Sequence, residues 1–558
     1  MAIIPVYEAL AHDLKSLGID TIFGLVADDI CHLVSALDAI GVRFIGARQE
    51  TQAMMMAAGY AAASGRMGVA LVGRGPASAN AVHGATSASR TGFPILVIAG
   101  ENPIGRGLTN AHGPDQKAFP AAAVFNALGM PTFIPTSANN ARTMLADAVA
   151  EASSGKAAAL LLPTDVQTAK IQIRDEDQGP SIPPSRPAEK ASQSSIDAAI
   201  ELLKNSKRPL IIGGVGVHRA GARGAVEALG EKLSAVMATT LKGKDLFRGN
   251  PFDIGIVGSS STSVGRQLME QADCVLAFGA GLNFLTTNSG TALPPVPLIQ
   301  VDHVRTNIGR YSRADVGLVG DARLVAEQLA AALPQRPAND MPFRSVEVRT
   351  KIANFEHTQD FQLEHTARTV DPRKLTLDLM KVLPEDRHIV FDGGNFMANW
   401  AYVTVPDPSH FTHTVDFASV GLGIGTAIGV ARGRPNSTTV LFIGDGGLLM
   451  TMGEIETVIR EDLPIVIFVM NDAAYGAEVH IMKALGLPPA KAIFADVDFA
   501  PMAEVLGFTT ATIRKMDDLV ALEPLLSRPD GPILVDCKIN MNVIAPCIAE
   551  VVPKDMID

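Results

Sequence analysis

The sequence is short of cysteine, of net positive charge and of long apolar runs, and each shortage excludes something. Its 558 residues contain only four cysteines, Cys31, Cys274, Cys537 and Cys547. They form no CxxC pair and no zinc-ligand spacing, so reduced thiols in a cytoplasmic protein are the simplest reading. Lys and Arg number 47 against 58 Asp and Glu, a net charge of −11. That balance argues against a nucleic-acid partner or an anionic membrane surface. No stretch of about 18 uncharged apolar residues occurs, so no membrane span is expected. The opening MAIIPVYEALAHDL has no basic region ahead of a long apolar run. It reads as the start of an amphipathic helix, not as a signal peptide. There is no short-period repeat.

Apolar residues make up 47% of the chain, and there are 50 glycines. A large core with close helix-on-sheet packing follows, and the length suits about three domains. Short continuous apolar runs at 43–45, 69–72, 95–98 and 158–162 alternate with helical patterns. Similar runs recur at 209–212, 274–278 and 298–301, then at 388–391, 439–443, 465–469 and 533–537. Runs of this kind indicate parallel strands covered on both faces. The polar, Pro-rich stretch 166–194 and the charged stretch 334–372 read as linkers. The expected fold is α/β, with three doubly wound parallel-sheet domains at 1–166, 190–335 and 372–545. A tail, 546–558, carries no strong pattern.

The chain is organised around VLFIGDGGLLMTMGEIETVIREDLPIVIFVMNDAAYG, residues 440–476. One apolar run ends in Gly444-Asp445-Gly446-Gly447 and the next in Asn471-Asp472. The 24 residues between Gly446 and Asn471 are enough for one crossover helix. Both strand ends then open on the same sheet edge, where ligands bind in open α/β folds. Asp445 and Asp472 should converge there beside a glycine turn that lets backbone approach a phosphate. Two hard oxygen ligands beside an anion site suit Mg²⁺ or Ca²⁺ bridging to a diphosphate. A plain βαβ unit with loop aspartates fits the same pattern, because Gly-Asp-Gly is common in turns.

GDG, this spacing and then Asn-Asp resemble the diphosphate-binding motif of thiamine-diphosphate (ThDP) enzymes. The three-block plan is similar to that of their decarboxylase/acetolactate-synthase group, over essentially the whole chain. The resemblance implies a pyrimidine-binding first domain, a Rossmann-like middle domain and a diphosphate-binding third domain. It implies Mg²⁺ held by Asp445, Asp472 and the carbonyl of Ala474, although the family's second side-chain ligand is most often Asn. Gly444, Gly446, Gly447, Tyr475 and Asn395 would surround the diphosphate. In ARQETQAMMMAAGYA, Arg48, Glu50, Ala53, Gly59 and Tyr60 match the family pattern. Glu50 would then hydrogen-bond the aminopyrimidine and favour its imino tautomer; read alone, it is a helix-dipole partner. The segment 418–427 resembles one in benzaldehyde lyase. That likeness gives Val420 the wedge between the cofactor rings and gives the Ala418 carbonyl a bond from the exocyclic amine.

The substrate side departs from the family. The usual Phe-Gly-x-Pro-Gly reads Phe23-Gly24-Leu25-Val26-Ala27 before Asp28 and Asp29. Asp28 aligns with a proton-transfer aspartate of pyruvate decarboxylases, and Asp29 with a histidine of benzaldehyde lyase. Glu478 stands where those decarboxylases carry a catalytic glutamate. His480 matches a benzaldehyde lyase histidine, and His112 stands where the family has a polar pocket residue. For each, a solvated loop position is the alternative; placed in a site, such groups suit proton transfer. Gly213-Gly214-Val215-Gly216 follows a strand, but a lone glycine cluster is weak support for FAD or a CoA-type nucleotide.

The resemblance implies making or breaking a carbon–carbon bond next to a carbonyl, on a 2-oxo acid, aldehyde or acyloin. Sites at the interface of a homodimer or homotetramer are implied as well. The alternatives are an acetolactate synthase or 2-hydroxyacyl-CoA lyase type, a flavin-dependent oxidase on the same fold, and a non-catalytic homologue. True acetolactate synthase is disfavoured because HGPDQKAFPAAAVFNALGMPTFIP lacks that enzyme's Phe-Gln-Glu and downstream lysine.

Overall fold

A computed structural model describes residues 2–104, 116–173, 179–182, 187–288, 290–334, 342–546 and 548. Three six-stranded sheets follow one another along the chain. The first has spatial order Arg43–Gly46, Thr21–Gly24, Gly68–Val72, Ile95–Glu101, Ala157–Pro163, Thr132–Phe133. The second runs Asp253–Ile256, Val236–Thr239, Pro209–Gly213, Cys274–Phe278, Leu298–Asp302, Val316–Val319. The third runs Phe411–His413, Arg387–Phe391, Thr438–Gly444, Ile465–Asn471, Ile533–Lys538, Thr509–Ile513. Every strand pair in the three sheets is parallel. The expected α/β class is therefore the observed one. In each sheet the chain starts on an inner strand, runs to one edge and then crosses to the other side, giving a switch point at which the carboxyl ends of two strands part and leave a crevice. In the third sheet it lies between Arg387–Phe391 and Thr438–Gly444.

Two local expectations fail. The N-terminus does not begin as a helix. Ala2–Pro5 is a strand, paired antiparallel with Lys170–Ile173 inside the stretch read as a linker. Pro5 lacks an N–H and caps the helix Val6–Ser16 that follows. Ile171 is the buried side chain of its four-residue strand, a signal too short to stand out among polar neighbours. The crossover after Asp445 is also not one helix. Asp445–Met450 and Glu454–Arg460 are separated at Thr451–Gly453, where the Thr451 hydroxyl donates back to the Gly447 carbonyl at 3.0 Å. No described helix is long and apolar enough to cross a membrane. Cys31, Cys274 and Cys537 are free thiols; Cys547 lies outside the described residues.

The first and third sheets share a core. Helix Glu50–Ser64 is buried on nearly every face and crosses helix Gly423–Gly433. A helix buried all round, polar only in its first turn and at its last residue, is an interior element. The crossing needs glycine: a Cβ on Gly59 would lie 2.1 Å from the Thr426 carbonyl oxygen, and one on Gly429 only 1.9 Å from that of Met56. Met54, Met56, Ala57, Ile424, Ala427 and Ile428 fill the seam, and the same apolar cluster reaches Val97 in one sheet and Leu441 in the other.

Candidate active site

Strands Thr438–Gly444 and Ile465–Asn471 run side by side with Gly444 opposite Met470. Asp445 and Asp472 therefore leave adjacent strand ends at the switch-point edge. Asp445 is the first residue of a helix, not a turn residue, and is 4% exposed. Burial pushes its carboxyl up to about 6, against the N–H groups of Gly446, Ala474 and Ala473 that face it. Burial, and then the Asp445 charge, push Asp472 up to about 8. Asp472 Oδ1 accepts from the Ala474 N–H at 3.2 Å, and Ala473 stands in the left-handed region at φ 56°. The sharp turn carries Ala474 back against Ile493.

These groups face a cavity of about 300 Å³. Its lining includes Asn395, Val420, Gly444, Asp445, Gly446, Gly447, Asp472, Ala474, Tyr475 and Glu478. Among the described lining residues three are carboxylates, and none is Lys, Arg or His. Glycine keeps the floor open: a Cβ on Gly446 would stand 2.6 Å from the Tyr475 ring, and one on Gly476 only 2.3 Å from Asp472 Oδ2. The Tyr475 ring packs edge-on against Phe494, 4.7 Å between centroids. The Asn395 amide is engaged with the C-terminal segment: Nδ2 donates to the Val543 carbonyl at 2.8 Å and Oδ1 accepts from the Ala545 N–H at 3.0 Å. Ala418, two residues before Val420, is left-handed at φ 52°.

The other candidates lie elsewhere in the same chain. Glu50 opens its helix at 9% exposure, and Asn80 Nδ2 donates to Glu50 Oε2 at 3.1 Å. It does not line the cavity. Asp28 is exposed and ion-paired with Lys117, which holds its carboxyl below the usual range. Asp29 is buried. Burial raises its carboxyl, Oδ2 accepts from the Arg74 N–H at 2.7 Å, and Oδ1 has no hydrogen-bond partner among the described residues. Both follow strand Thr21–Gly24 on the carboxyl edge of the first sheet. His480, two residues beyond exposed Glu478 on helix Gly476–Ala484, does not line the cavity; among the described residues its buried Nε2 has no partner, and burial lowers its pKa. His112 lies outside the described residues. In the middle domain, Gly214 and Gly216 are packed against Gly279: a Cβ on either would meet Gly279 within 2.7 Å. There the glycines serve loop-on-loop packing.

Three further residues hold the site together. Asp392, fully buried at the end of Arg387–Phe391, accepts from the N–H groups of Gly421 at 2.7 Å and Leu422 at 3.2 Å. Gln52 grips the same turn from the first domain. Glu454 accepts from the N–H groups that precede Glu50. Asp392 was visible in Asp-Gly-Gly-Asn; the other two have no local signature, because their partners lie hundreds of residues away.

Comparison with known proteins agrees with this layout. The N-terminal TPP binding domain of thiamine pyrophosphate enzymes matches residues 4–123, the central domain 196–329 and the C-terminal TPP binding domain 392–537. A probable 2-ketoarginine decarboxylase of Pseudomonas aeruginosa is 29% identical over 92% of this chain and 90% of its own. A probable acetolactate synthase large subunit of Methanocaldococcus jannaschii is 26% identical over 97% and 93%. A sulfoacetaldehyde acetyltransferase of Rhodobacter capsulatus is 27% identical over 99% and 97%. With all three domains matched in order and relatives aligned almost end to end, the chain belongs to the thiamine pyrophosphate enzymes, in the group of the acetolactate synthases and decarboxylases.

Proposed function

We propose that the protein binds ThDP and Mg²⁺ and makes or breaks a carbon–carbon bond next to a carbonyl, as a 2-oxo acid decarboxylase or acyloin lyase/carboligase. The observation that carries this is the pair of buried Asp445 and half-buried Asp472, side by side at a glycine floor in a cavity whose described lining residues include no cationic side chain. Such a lining repels a diphosphate by itself, so a divalent cation must stand between them. The residues fit that group. Asp445, Asp472 and the Ala474 carbonyl would hold the metal, and the N–H groups at the start of helix Asp445–Met450 would be available to the phosphates. ThDP supplies the carbanion chemistry.

This chain's residues then orient and move protons. Val420 shapes the cavity wall, and the left-handed turn at Ala418 directs its carbonyl. Glu50 is assigned to the aminopyrimidine, delivered from a second copy because its own cavity does not contain it. Leu449 and Met450, exposed at 43% and 54% close to the cavity, would be covered in that pairing. A homodimer or homotetramer is the working assembly. Glu478 at the cavity mouth and the Asp28/Asp29 edge of the partner's first domain would handle substrate protons.

The test is thermal unfolding of metal-stripped protein with and without ThDP plus Mg²⁺. A ligand at a hundredfold excess over its dissociation constant adds about 2.7 kcal/mol, so a clear upward shift is expected, reversed by chelator. Identical melting curves would end the proposal. A panel of 2-oxo acids, aldehydes and acyloins, with products identified by mass spectrometry, then fixes the substrate.

A further inference from the structure

The turn that carries Val420 is held from two sides. Its own domain supplies Asp392, bound to the N–H groups of Gly421 and Leu422 and to the Thr414 hydroxyl at 2.9 Å. The first domain of the same chain supplies Gln52, which is 1% exposed. Gln52 Nε2 donates to the Gly421 carbonyl at 2.8 Å, and Gln52 Oε1 accepts from the Gly425 N–H at 3.0 Å. This fork needs one donor and one acceptor on a single planar group, which only an amide offers here. The fit leaves no slack: a Cβ on Gly425 would lie 2.5 Å from Gln52 Oε1. Gln52 also sits two residues after Glu50, on the first turn of helix Glu50–Ser64.

We propose that Gln52 is a positioning residue that fixes the Val420 turn of its own chain, while Glu50, on the same helix, serves the partner's cavity. One helix start thus serves two cofactor sites, by the clamp in one and by the carboxylate in the other. The inference rests on the dimeric reading above and goes beyond it by assigning the two residues to different sites.

The test pairs two variants. In Gln52→Met the amide is lost with little change of volume, leaving the Gly421 carbonyl and Gly425 N–H buried without partners. ThDP affinity and turnover should each fall about tenfold, the scale of lost buried hydrogen bonds. Amide exchange read by mass spectrometry should quicken at 418–425 and stay unchanged in the central strands of the first sheet. Gln52→Glu, which accepts at Gly425 but faces Gly421 with a second acceptor, should show the same exchange signature. A Glu50→Gln homodimer should be nearly inactive. Co-expressed under separate tags, a Gln52→Met chain paired with a Glu50→Gln chain should regain one full-rate site. That site has its turn held by an intact Gln52 and its carboxylate supplied by the other chain. A mixed pair no faster than the two homodimers would overturn the proposal, because Gln52 would then act by aiming Glu50. Parental exchange at 418–425 in Gln52→Met would overturn it as well. A fully active Glu50→Gln homodimer would instead overturn the proposed function, and the exchange data would still decide whether Gln52 clamps the turn.

Discussion

Glu454 Oε1 accepts the backbone N–H groups of both Arg48 and Gln49, at 2.7 and 3.0 Å. A carboxylate from the third domain thereby fixes the turn that presents Glu50 in the first. Glu454 is 1% exposed, and its second oxygen accepts from the Thr457 hydroxyl at 2.9 Å. Domain packing and the aim of Glu50 are therefore one arrangement.

Removing that carboxylate should affect both. Glu454→Ala strands two buried N–H groups, at about 1–3 kcal/mol for each unsatisfied group. Denaturant titration should show the loss, with ThDP-dependent turnover falling further than stability alone explains. Glu454→Gln keeps an acceptor oxygen and should recover most of the stability. Equal stability of parent and Glu454→Ala would show that the turn is held otherwise.

Gly476 separates folding from metal binding. An added Cβ would stand 2.3 Å from Asp472 Oδ2 and 3.1 Å from Asn395 Cβ, at the first residue of helix Gly476–Ala484. Alanine favours the helix by up to about 1 kcal/mol over glycine, so the metal-free melting temperature of Gly476→Ala should stay close to the parent's. The upward shift with ThDP and Mg²⁺ should shrink or vanish, because Asp472 is displaced. A full shift would mean that Asp472 is not needed for the metal.

His413 sets an acid limit. It is buried beside Trp400, with rings 6.1 Å apart, and Nδ1 has no hydrogen-bond partner among the described residues. Burial drives its pKa down to about 4, with Asp416 opposing and Lys242 assisting. The unfolded chain then binds more protons than the fold between the folded value and the ordinary 6.5. Its stabilising contribution is complete above that range and fades as pH falls through it, by about 3 kcal/mol in all. Asp445 and Asp472, shifted upward, act with the opposite sign. The difference between parent and His413→Phe isolates the histidine. The parent should lose stability relative to the variant from about pH 6.5 to about pH 4, and parallel melting-temperature profiles would remove His413 from the account.

The sequence made the central strands and the GDG…ND pair legible because both are continuous in the chain. Ile465–Asn471 is a fully buried run, and the spacing from Gly446 to Asn471 fixes a crossover. Short or polar edge strands such as Thr509–Ile513 and Phe411–His413 carry too few apolar residues to register alone. The pairing of Ala2–Pro5 with Lys170–Ile173 depends on tertiary contact, which overrides local propensity. Gln52 and Glu454 were invisible for the same reason: their partners are set by the seam between domains.

The last prediction separates the carboxylates in time. Glu50, held by Asn80, is assigned to the cofactor ring alone. Glu50→Gln should therefore suppress proton–deuterium exchange at the reactive thiazolium carbon with or without substrate. Glu478 lines the cavity mouth, and Asp28 and Asp29 stand on the edge of the first sheet, so they should act on substrate after that proton has left. Glu478→Gln and Asp28→Asn should leave the exchange largely intact. They should slow product formation or change the ratio of aldehyde to acyloin, within the about 10²–10⁴-fold typical of general acid–base groups. The two aspartates differ in kind. Asp28 is exposed and held as a carboxylate by Lys117, whereas buried Asp29 has its pKa raised and is the one poised to carry a proton. Asp29→Asn should therefore slow turnover more than Asp28→Asn. Parental rates and product ratios in all three variants would reduce these residues to surface and packing roles, leaving Glu50 and the metal-holding pair as the only protein acids in the reaction.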